Sequence, residues 1–253
     1  MWAFLGEGEP PAFPPIPAFD GDGLLEVDVR YVECNYFQCL ENSVDEVHVS
    51  FVHREGGSHR AVYDLPRLTA EETDYGTVRY ARRPGQPQRI SHHFMPNTTR
   101  VIVPPMAGMQ GVGGWRDVYL SFVPVDDETS VWFLPMHVDV RGAGADAYLA
   151  QRERHRARLA ESRPVSEIAA AILAGKLAIS DVTGHPAMAM IEDRVAQAGQ
   201  GVIADRTNER LGRSDAVLIL WRKLWSRELR NLAEGRPLKQ WCWSGELQPT
   251  QGF

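Results

Sequence analysis

The sequence is poor in cysteine: Cys34, Cys39 and Cys242 are the whole supply. An odd set of three cannot build a disulfide framework, and such sparse use suits a reducing cytoplasm. Cys34 and Cys39 stand at a weak metal spacing and read as two core thiols. No apolar run approaches the roughly 18 to 20 residues needed to cross a bilayer, so no membrane association is expected. The opening Met-Trp-Ala-Phe-Leu-Gly-Glu-Gly-Glu has neither a basic region nor a long apolar core, so no signal peptide is expected. Positive charge is not in excess either. The formal net charge is −6, which leaves no basic footprint for nucleic acid. Gly108, Gly111, Gly113 and Gly114 are not followed by Gly-Lys-Ser/Thr, so they read as a flexible loop rather than a phosphate cradle. No His-Glu-x-x-His is present, because Val49 follows His48, and a zinc-protease reading fails. No internal repeat or low-complexity segment stands out.

What is present is a globular composition, 43% hydrophobic and 24% charged over 253 residues, enough to bury a sizeable core. Three stretches follow from local composition. Residues 1–22 form an entry segment crowded with Pro10, Pro11, Pro14, Pro15 and Pro17, residues 23–240 form the main domain, and residues 241–253 form a tail. A chain that opens on such a linker is expected to follow something else. Leu24 to Cys34 alternates as a strand with one wet face. Further strand-like runs lie near 59–65, 75–82, 89–95, 99–103, 117–123 and 130–140. Turn signals such as Pro84-Gly85 and Asp126-Asp127 separate neighbours by little, which implies antiparallel meanders.

From Asp146 the chain turns helical, over 146–161 and again over 165–175. Ser214 is placed to cap a long helix that Gly235 ends. Its stripe of Val217, Leu218, Leu220, Trp221, Leu224, Trp225, Leu229 and Leu232 needs a broad apolar partner. The simplest architecture is α+β, a curved antiparallel sheet gripping a long C-terminal helix.

The chemistry concentrates between residues 34 and 53. On a helix, Asn42, Asp45 and His48 step by three along one face. His53 would lie about 140° further round than His48 on an ideal helix. Both can hold one ion only if the helix ends or distorts between them, and Val49-Ser50-Phe51-Val52 makes an ending there plausible. Neutral imidazole is the commonest metal ligand, and a nearby carboxylate orients it. Two histidines satisfied without a metal remain the competing reading of this spacing.

The run Glu33-Cys-Asn-Tyr-Phe-Gln-Cys-Leu-Glu-Asn-Ser-Val-Asp-Glu-Val-His-Val-Ser-Phe-Val-His53 resembles the catalytic-domain signature of Rieske non-haem iron oxygenases. The resemblance is to their phthalate dioxygenase and aromatic O-demethylase branch, with Tyr36 in place of the usual Trp. A second block supports it: Glu192-Asp193, Gln197, then Gly199-Gln-Gly-Val-Ile-Ala-Asp-Arg206 and Glu209-Arg-Leu-Gly-Arg-Ser-Asp215. The resemblance implies a helix-grip (START/Bet v1-like) fold. It implies a mononuclear Fe(II) held by His48, His53 and Asp193, with Glu192 the competitor for the carboxylate position. It also implies that Asp45 hydrogen-bonds His48 and bridges to a neighbouring subunit's Rieske cluster. Asn42 either lies near the iron or merely caps and packs.

The pattern Cys-x-His…Cys-x-x-His that would hold a [2Fe–2S] cluster is missing, so these residues do not bind one. Electrons must then come from a separate Rieske ferredoxin-type protein or domain and an NAD(P)H reductase, with a homotrimer as the expected assembly. The implied activity is hydroxylation or O-demethylation of an aromatic compound with O₂. The alternative is a non-catalytic module for aromatic or hydrophobic ligands. A hydrolytic metalloenzyme would need a general base beside the metal, and none is specified. Phe94, Met95, Val101, Val103, Met106, Phe133 and Met136 are candidates for a substrate pocket, with core packing the commoner fate of such residues. Arg89, His92, His93 and Arg100 could meet a substrate carboxylate, and otherwise read as solvated surface charge.

Overall fold

The computed structural model describes residues 8–9, 16, 19, 21–53, 64–103, 112–114, 116–242 and 247. The fold is α+β. Among the described residues, seven strands form one antiparallel sheet: β1 (Leu24–Val32), β2 (Arg67–Glu72), β3 (Gly76–Arg82), β4 (Arg89–Phe94), β5 (Thr98–Val103), β6 (Arg116–Pro124) and β7 (Ser130–Val138). Their order is β1-β7-β6-β5-β4-β3-β2, so β2 to β7 make a continuous meander and β1 closes on its last strand. Local chemistry makes the turns tight. Gly85 takes φ +68 between β3 and β4. Between β6 and β7, Asp126 Oδ1 accepts the backbone N–H groups of Glu128 and Thr129.

Five of the expected strand runs coincide with β3 to β7. The run near 59–65 falls mostly on residues 54–63, which lie outside the described part; residues 64–66 are not strand, and among the described residues the meander begins with β2 at Arg67. β2 is a mostly exposed edge strand, Arg-Leu-Thr-Ala-Glu-Glu, whose weak alternation hides it from pattern reading. β1 is correctly placed, but its faces are reversed. Leu25, Val27, Val29 and Tyr31 are the exposed side, while Glu26 points inward to accept from Tyr148 Oη and Arg152 Nε.

Among the described residues, six α-helices follow or interrupt the sheet: α1 (Tyr36–Val44), α2 (His48–Val52), α3 (Ala143–Glu161), α4 (Val165–Leu173), α5 (Met188–Ala198) and α6 (Ala216–Ala233). α1 and α6 pack on the same face of the sheet, around Val32, Cys34, Cys39, Leu40, Val44, Phe122, Val217 and Trp221. Leu40, Val44 and Trp221 are fully buried there, and Cys34 and Cys39 are core thiols as expected. The stripe on α6 is seated only over its first half. Val217, Trp221 and Leu224 are buried, whereas Leu229 and Leu232 are exposed. Past Leu224 charge also fixes the helix, with Arg227 and the later Lys239 both on Glu72 of β2. Ser214 lies within a 3₁₀ turn, Arg213–Asp215, and is not the cap. Gly235 (φ +66) does end the helix, with Arg236 N–H returning to Asn231 O at 2.8 Å.

On the opposite face of the sheet, Phe94 and Tyr119 pack against Ile16 and Phe19, so the entry segment is seated on the domain at those two residues. No helix among the described residues is long and apolar enough to cross a membrane.

Candidate metal centre

The site begins with the cap of α1. Asn35 Oδ1 accepts Phe37 N–H at 3.0 Å, which starts a helix of nine residues that carries Asn42. Asp45 ends it in an extended conformation (ψ 107), and its carboxylate turns to accept Val47 N–H at 2.8 Å. The chain bends there, and α2 starts at His48 and stops at His53. The break therefore precedes His48 and does not fall between the histidines. Asn42, Asp45 and His48 do not share one helix face, because the aspartate caps the bend instead of continuing the helix. The short helix still brings the two imidazoles together, with ring centroids 5.3 Å apart and planes at 72°.

Asp193 comes from α5, a helix that sequence patterning missed because it has no side-chain cap at its start. Its Oδ1 lies 3.2 Å from His53 Nε2 and 3.7 Å from His48 Nε2, and it accepts Asn42 Nδ2 at 3.2 Å. One ligand atom from each of His48, His53 and Asp193 can be chosen so that all three lie within 4.8 Å of one another. The other ring nitrogens are occupied. His53 Nδ1 meets Glu192 Oε2 at 3.1 Å, and His48 Nδ1 donates to the backbone carbonyl of Asp45 in a short contact. Asp45 thus holds His48 through its main chain, not through its carboxylate. Since a carbonyl only accepts, His48 Nδ1 carries the proton there and Nε2 is left as a lone-pair donor. A carboxylate at Nδ1 selects the same tautomer for a neutral His53. Adjacent residues on α5 therefore serve different nitrogens: Glu192 orients His53 and Asp193 faces the shared space.

The electrostatics match this geometry. Burial opposes charge on His53, but the hydrogen bonds and charges of Asp193 and Glu192 outweigh it and push the imidazole up to about 10. Burial likewise works against the Asp193 carboxylate, yet His53, His48 and Asn42 hold it below its ordinary value. Two carboxylates around two imidazoles form a site short of positive charge, which a divalent cation supplies. Two imidazole nitrogens and one carboxylate oxygen are the two-His-one-carboxylate set that leaves coordination positions open on Fe(II). The donors present fit that ion.

Three further residues position the site. Gln38, fully buried on α1, donates from Nε2 to the carbonyls of Gln197 (3.0 Å) and Gly201 (3.1 Å) and accepts Ala204 N–H at 3.0 Å. This lashes the end of α5 and the loop after it to α1, fixing the rotation that aims Asp193. Glu41 accepts from Arg206 at 2.7 Å and Arg222 at 2.5 Å, joining α1 to the same loop and to α6. Glu46, buried behind the bend, pairs with Arg79 (2.5 Å), Arg83 (2.9 Å) and Arg89 (2.7 Å). Burial works against its charge, but the three guanidinium groups prevail and hold it at about 2.

Arg89, His92, His93 and Arg100 are not solvated surface. Arg89 serves Glu46, His92 and His93 are fully buried with His92 Nδ1 at 2.8 Å from Tyr75 Oη, and Arg100 forks onto Asp117. Adjacent His92 and His93 point to opposite faces of β4 and both are buried, so no alternation in the sequence marked them. Among the pocket candidates, Phe94 and Met136 are buried, Met95 packs against the inner core, Val101, Val103 and Phe133 are half-buried, and Met106 lies outside the described residues. None of the described ones lines the cavity that reaches Asp193.

No protein-family model matches the chain. Among curated proteins it is 26% identical, over 94% of its length, to the 5,5'-dehydrodivanillate O-demethylase oxygenase subunit of Sphingobium sp. (strain NBRC 103272 / SYK-6). It is 25% identical, over 88% of its length, to the phthalate 4,5-dioxygenase oxygenase subunit of Pseudomonas putida. It spans 52% and 55% of those proteins, about half of each. Among solved structures, NdmB of Pseudomonas putida CBB5 matches with a TM-score of 0.57 at 16% identity, over 88% of this chain and 55% of that one, a likeness of fold. The chain is thus similar to oxygenase subunits of the aromatic O-demethylase and phthalate dioxygenase type, matching them over roughly half their length.

Proposed function

We propose that the chain is the catalytic part of a Rieske-type oxygenase that uses Fe(II) and O₂ to hydroxylate or O-demethylate an aromatic compound. The observation that carries this reading is the convergence of His48 Nε2, His53 Nε2 and Asp193 Oδ1 while both Nδ1 atoms are tied elsewhere. When bound, Fe(II) on this set supplies O₂ activation and one-electron chemistry at its open positions. The protein's own part is orientation. The Asp45 carbonyl and the Glu192 carboxylate accept hydrogen bonds from the Nδ1–H groups, which fixes both tautomers and raises the basicity of the ligating nitrogens. Asn42 holds the Asp193 carboxylate in line by donating to Oδ1.

Electrons enter, in this reading, from a [2Fe–2S] cluster outside these residues, carried by a Rieske protein or domain and refilled by an NAD(P)H reductase. Asp45 is assigned as the entry residue because its main chain is one hydrogen bond from the ligand His48. A homotrimer that sets a neighbour's cluster against Asp45, working in the cytoplasm, completes the proposal. The names of the two curated relatives support an aromatic substrate.

The test is a single-turnover reaction. The iron-loaded chain, a chemically reduced Rieske ferredoxin, isotopically labelled O₂ and a panel of benzoates and methoxybenzoates are combined, and products are read by mass spectrometry. Labelled oxygen in a ring hydroxyl, or formaldehyde from a methoxy group, is expected. A fully iron-loaded chain that binds these aromatics and never incorporates oxygen is instead the non-catalytic module.

A further inference from the structure

Cys34 and Cys39 flank the first turn of α1. With Asn35 as the cap, Cys34 stands one residue before it and Cys39 at the fourth helical position. Side chains at those two positions meet across the start of a helix, where an apolar pair usually packs. Here the pair is two thiols, 5% and 1% exposed, hydrogen-bonded to each other. The Cys39 thiol has one proton and two acceptors, Cys34 Sγ and Gln197 Oε1 at 3.5 Å. Cys34 Sγ accepts further from Gln38 Nε2 at 3.9 Å and from the Asn35 backbone N–H. The hydrogen bond from Cys39 and the charge of Arg194 outweigh burial and hold the Cys34 thiol below its ordinary value. The same hydrogen bond, with burial, pushes Cys39 up. One sulfur is prepared as a thiolate and its neighbour kept as a thiol, the asymmetry of an attacking and a resolving cysteine.

A route to the pair exists. The cavity of about 320 Å³ that reaches Asp193 is also lined by Val32, Arg194 and Gln197. Arg194 Nη1 and Gln197 Nε2 are buried without a hydrogen-bond partner, and Gln197 is 2% exposed. Unpaired buried donors are costly, and a small oxygen acceptor entering the cavity relieves that cost. Hydrogen peroxide is small enough to do so, and the two residues it would meet are the ones that act on Cys34 and Cys39.

We infer that Cys34 and Cys39 are a peroxide-oxidisable pair whose closure to a disulfide loosens the metal centre. The Cys34 thiolate attacks one oxygen of hydrogen peroxide. An S–O bond forms, the O–O bond breaks, and hydroxide leaves and takes up a proton as water. The Cys39 sulfur then attacks Cys34 Sγ. The S–S bond forms, the S–O bond breaks, and a second water leaves with the Cys39 proton. Two thiols lose two electrons and one peroxide becomes two waters. The disulfide has no proton to give, so Gln197 Oε1 is left unpaired beside its already unpaired nitrogen. Gln197 lies about one turn beyond Asp193 on α5, and Gln38, which ties α5 to α1, touches Cys34. The thiol chemistry stands apart from the metal reading, whereas its effect on iron rests on that reading.

The experiment uses the full chain with its exposed third cysteine replaced, Cys242→Ser. The metal-free protein is treated with equimolar hydrogen peroxide, any excess is removed with catalase, and thiols are counted and peptides mapped by mass spectrometry. Both thiols should be lost together, with the mass of two hydrogens and with a Cys34–Cys39 cross-linked peptide that dithiothreitol reverses. With Cys39→Ser added, a cyclic dione should trap Cys34 as its sulfenic acid. With Cys34→Ser added, Cys39 should stay reduced. Thiols that react only after unfolding, a cross-link between chains in place of the internal one, or ready oxidation of Cys39 in Cys34→Ser would each overturn the inference. Fe(II) affinity of the oxidised and reduced chains is then compared anaerobically by chelator competition. The disulfide should weaken it about 2- to 10-fold, the range of one neutral hydrogen bond, and reduction should restore it. Equal affinity overturns the link to the metal centre. Failure of the reduced chain to take up iron defeats the metal reading instead, and the cross-link is still read by mass.

Discussion

Glu192 and Asp193 are neighbours in the chain yet stand on different nitrogens of the same histidine, 3.1 Å from His53 Nδ1 and 3.2 Å from Nε2. Sequence alone could name both acids as candidates but not divide their roles, because the division depends on the rotation of α5. That rotation is set by Gln38, a residue with no metal-ligating chemistry and no motif of its own. The histidines and Asp193 were legible through two sequence blocks. The contacts that aim them were not, because a buried glutamine bonded to main-chain carbonyls leaves no periodic signature. A prediction belongs at this scale. Glu192→Gln removes the carboxylate that orients His53, so Fe(II) affinity, read by chelator competition, should fall about 10- to 100-fold, the usual cost of losing such a support. Unchanged affinity would mean that Glu192 only packs.

Among the elements, the bend between α1 and α2 carries the site. Helical periodicity places Asn42, Asp45 and His48 on one face, but Asp45 spends its carboxylate on Val47 N–H and the helix stops there. The bend is pinned from behind by Glu46 and its three arginines, which reach in from β3, β4 and the turn between them. Arg79 and Arg89 share one inward face of the sheet, which the sequence did not reveal because arginine in a strand usually reads as solvated. Replacing Glu46 with glutamine leaves three guanidinium groups buried around a neutral amide. The loss should be about 3–5 kcal/mol in denaturant unfolding, as for a buried ion pair deprived of one partner. A loss under about 1 kcal/mol would show the cluster to be hydrated and peripheral.

At the scale of the whole molecule, the meander was readable because its turns are short and marked by Pro-Gly and Asp-Asp pairs. The seating of α6 was not, since an apolar stripe does not say which of its residues are covered, and Leu229 and Leu232 are not. The outer half of that helix is tethered by charge. Arg227 and Lys239 close on Glu72, and Arg227's hydrogen bond, with Lys239's help, holds the Glu72 carboxyl at about 2 against an ordinary 4.5. A depressed carboxyl stabilises the fold when ionised. That contribution is fully present above about pH 4.5 and drains away as pH falls toward 2. The native chain should therefore lose stability in that window more steeply than Glu72→Gln, in acid titrations followed by circular dichroism. Parallel curves would show that the tether contributes nothing.

The central claim is that His48, His53 and Asp193 are one iron site, and anaerobic loading of the purified chain with Fe(II), followed by gel filtration and iron analysis, tests it most directly. The account predicts close to one iron per chain, with His48→Ala and Asp193→Ala each near zero while remaining folded. Less than about a fifth of an iron in the native chain, or equal retention by both variants, would contradict it.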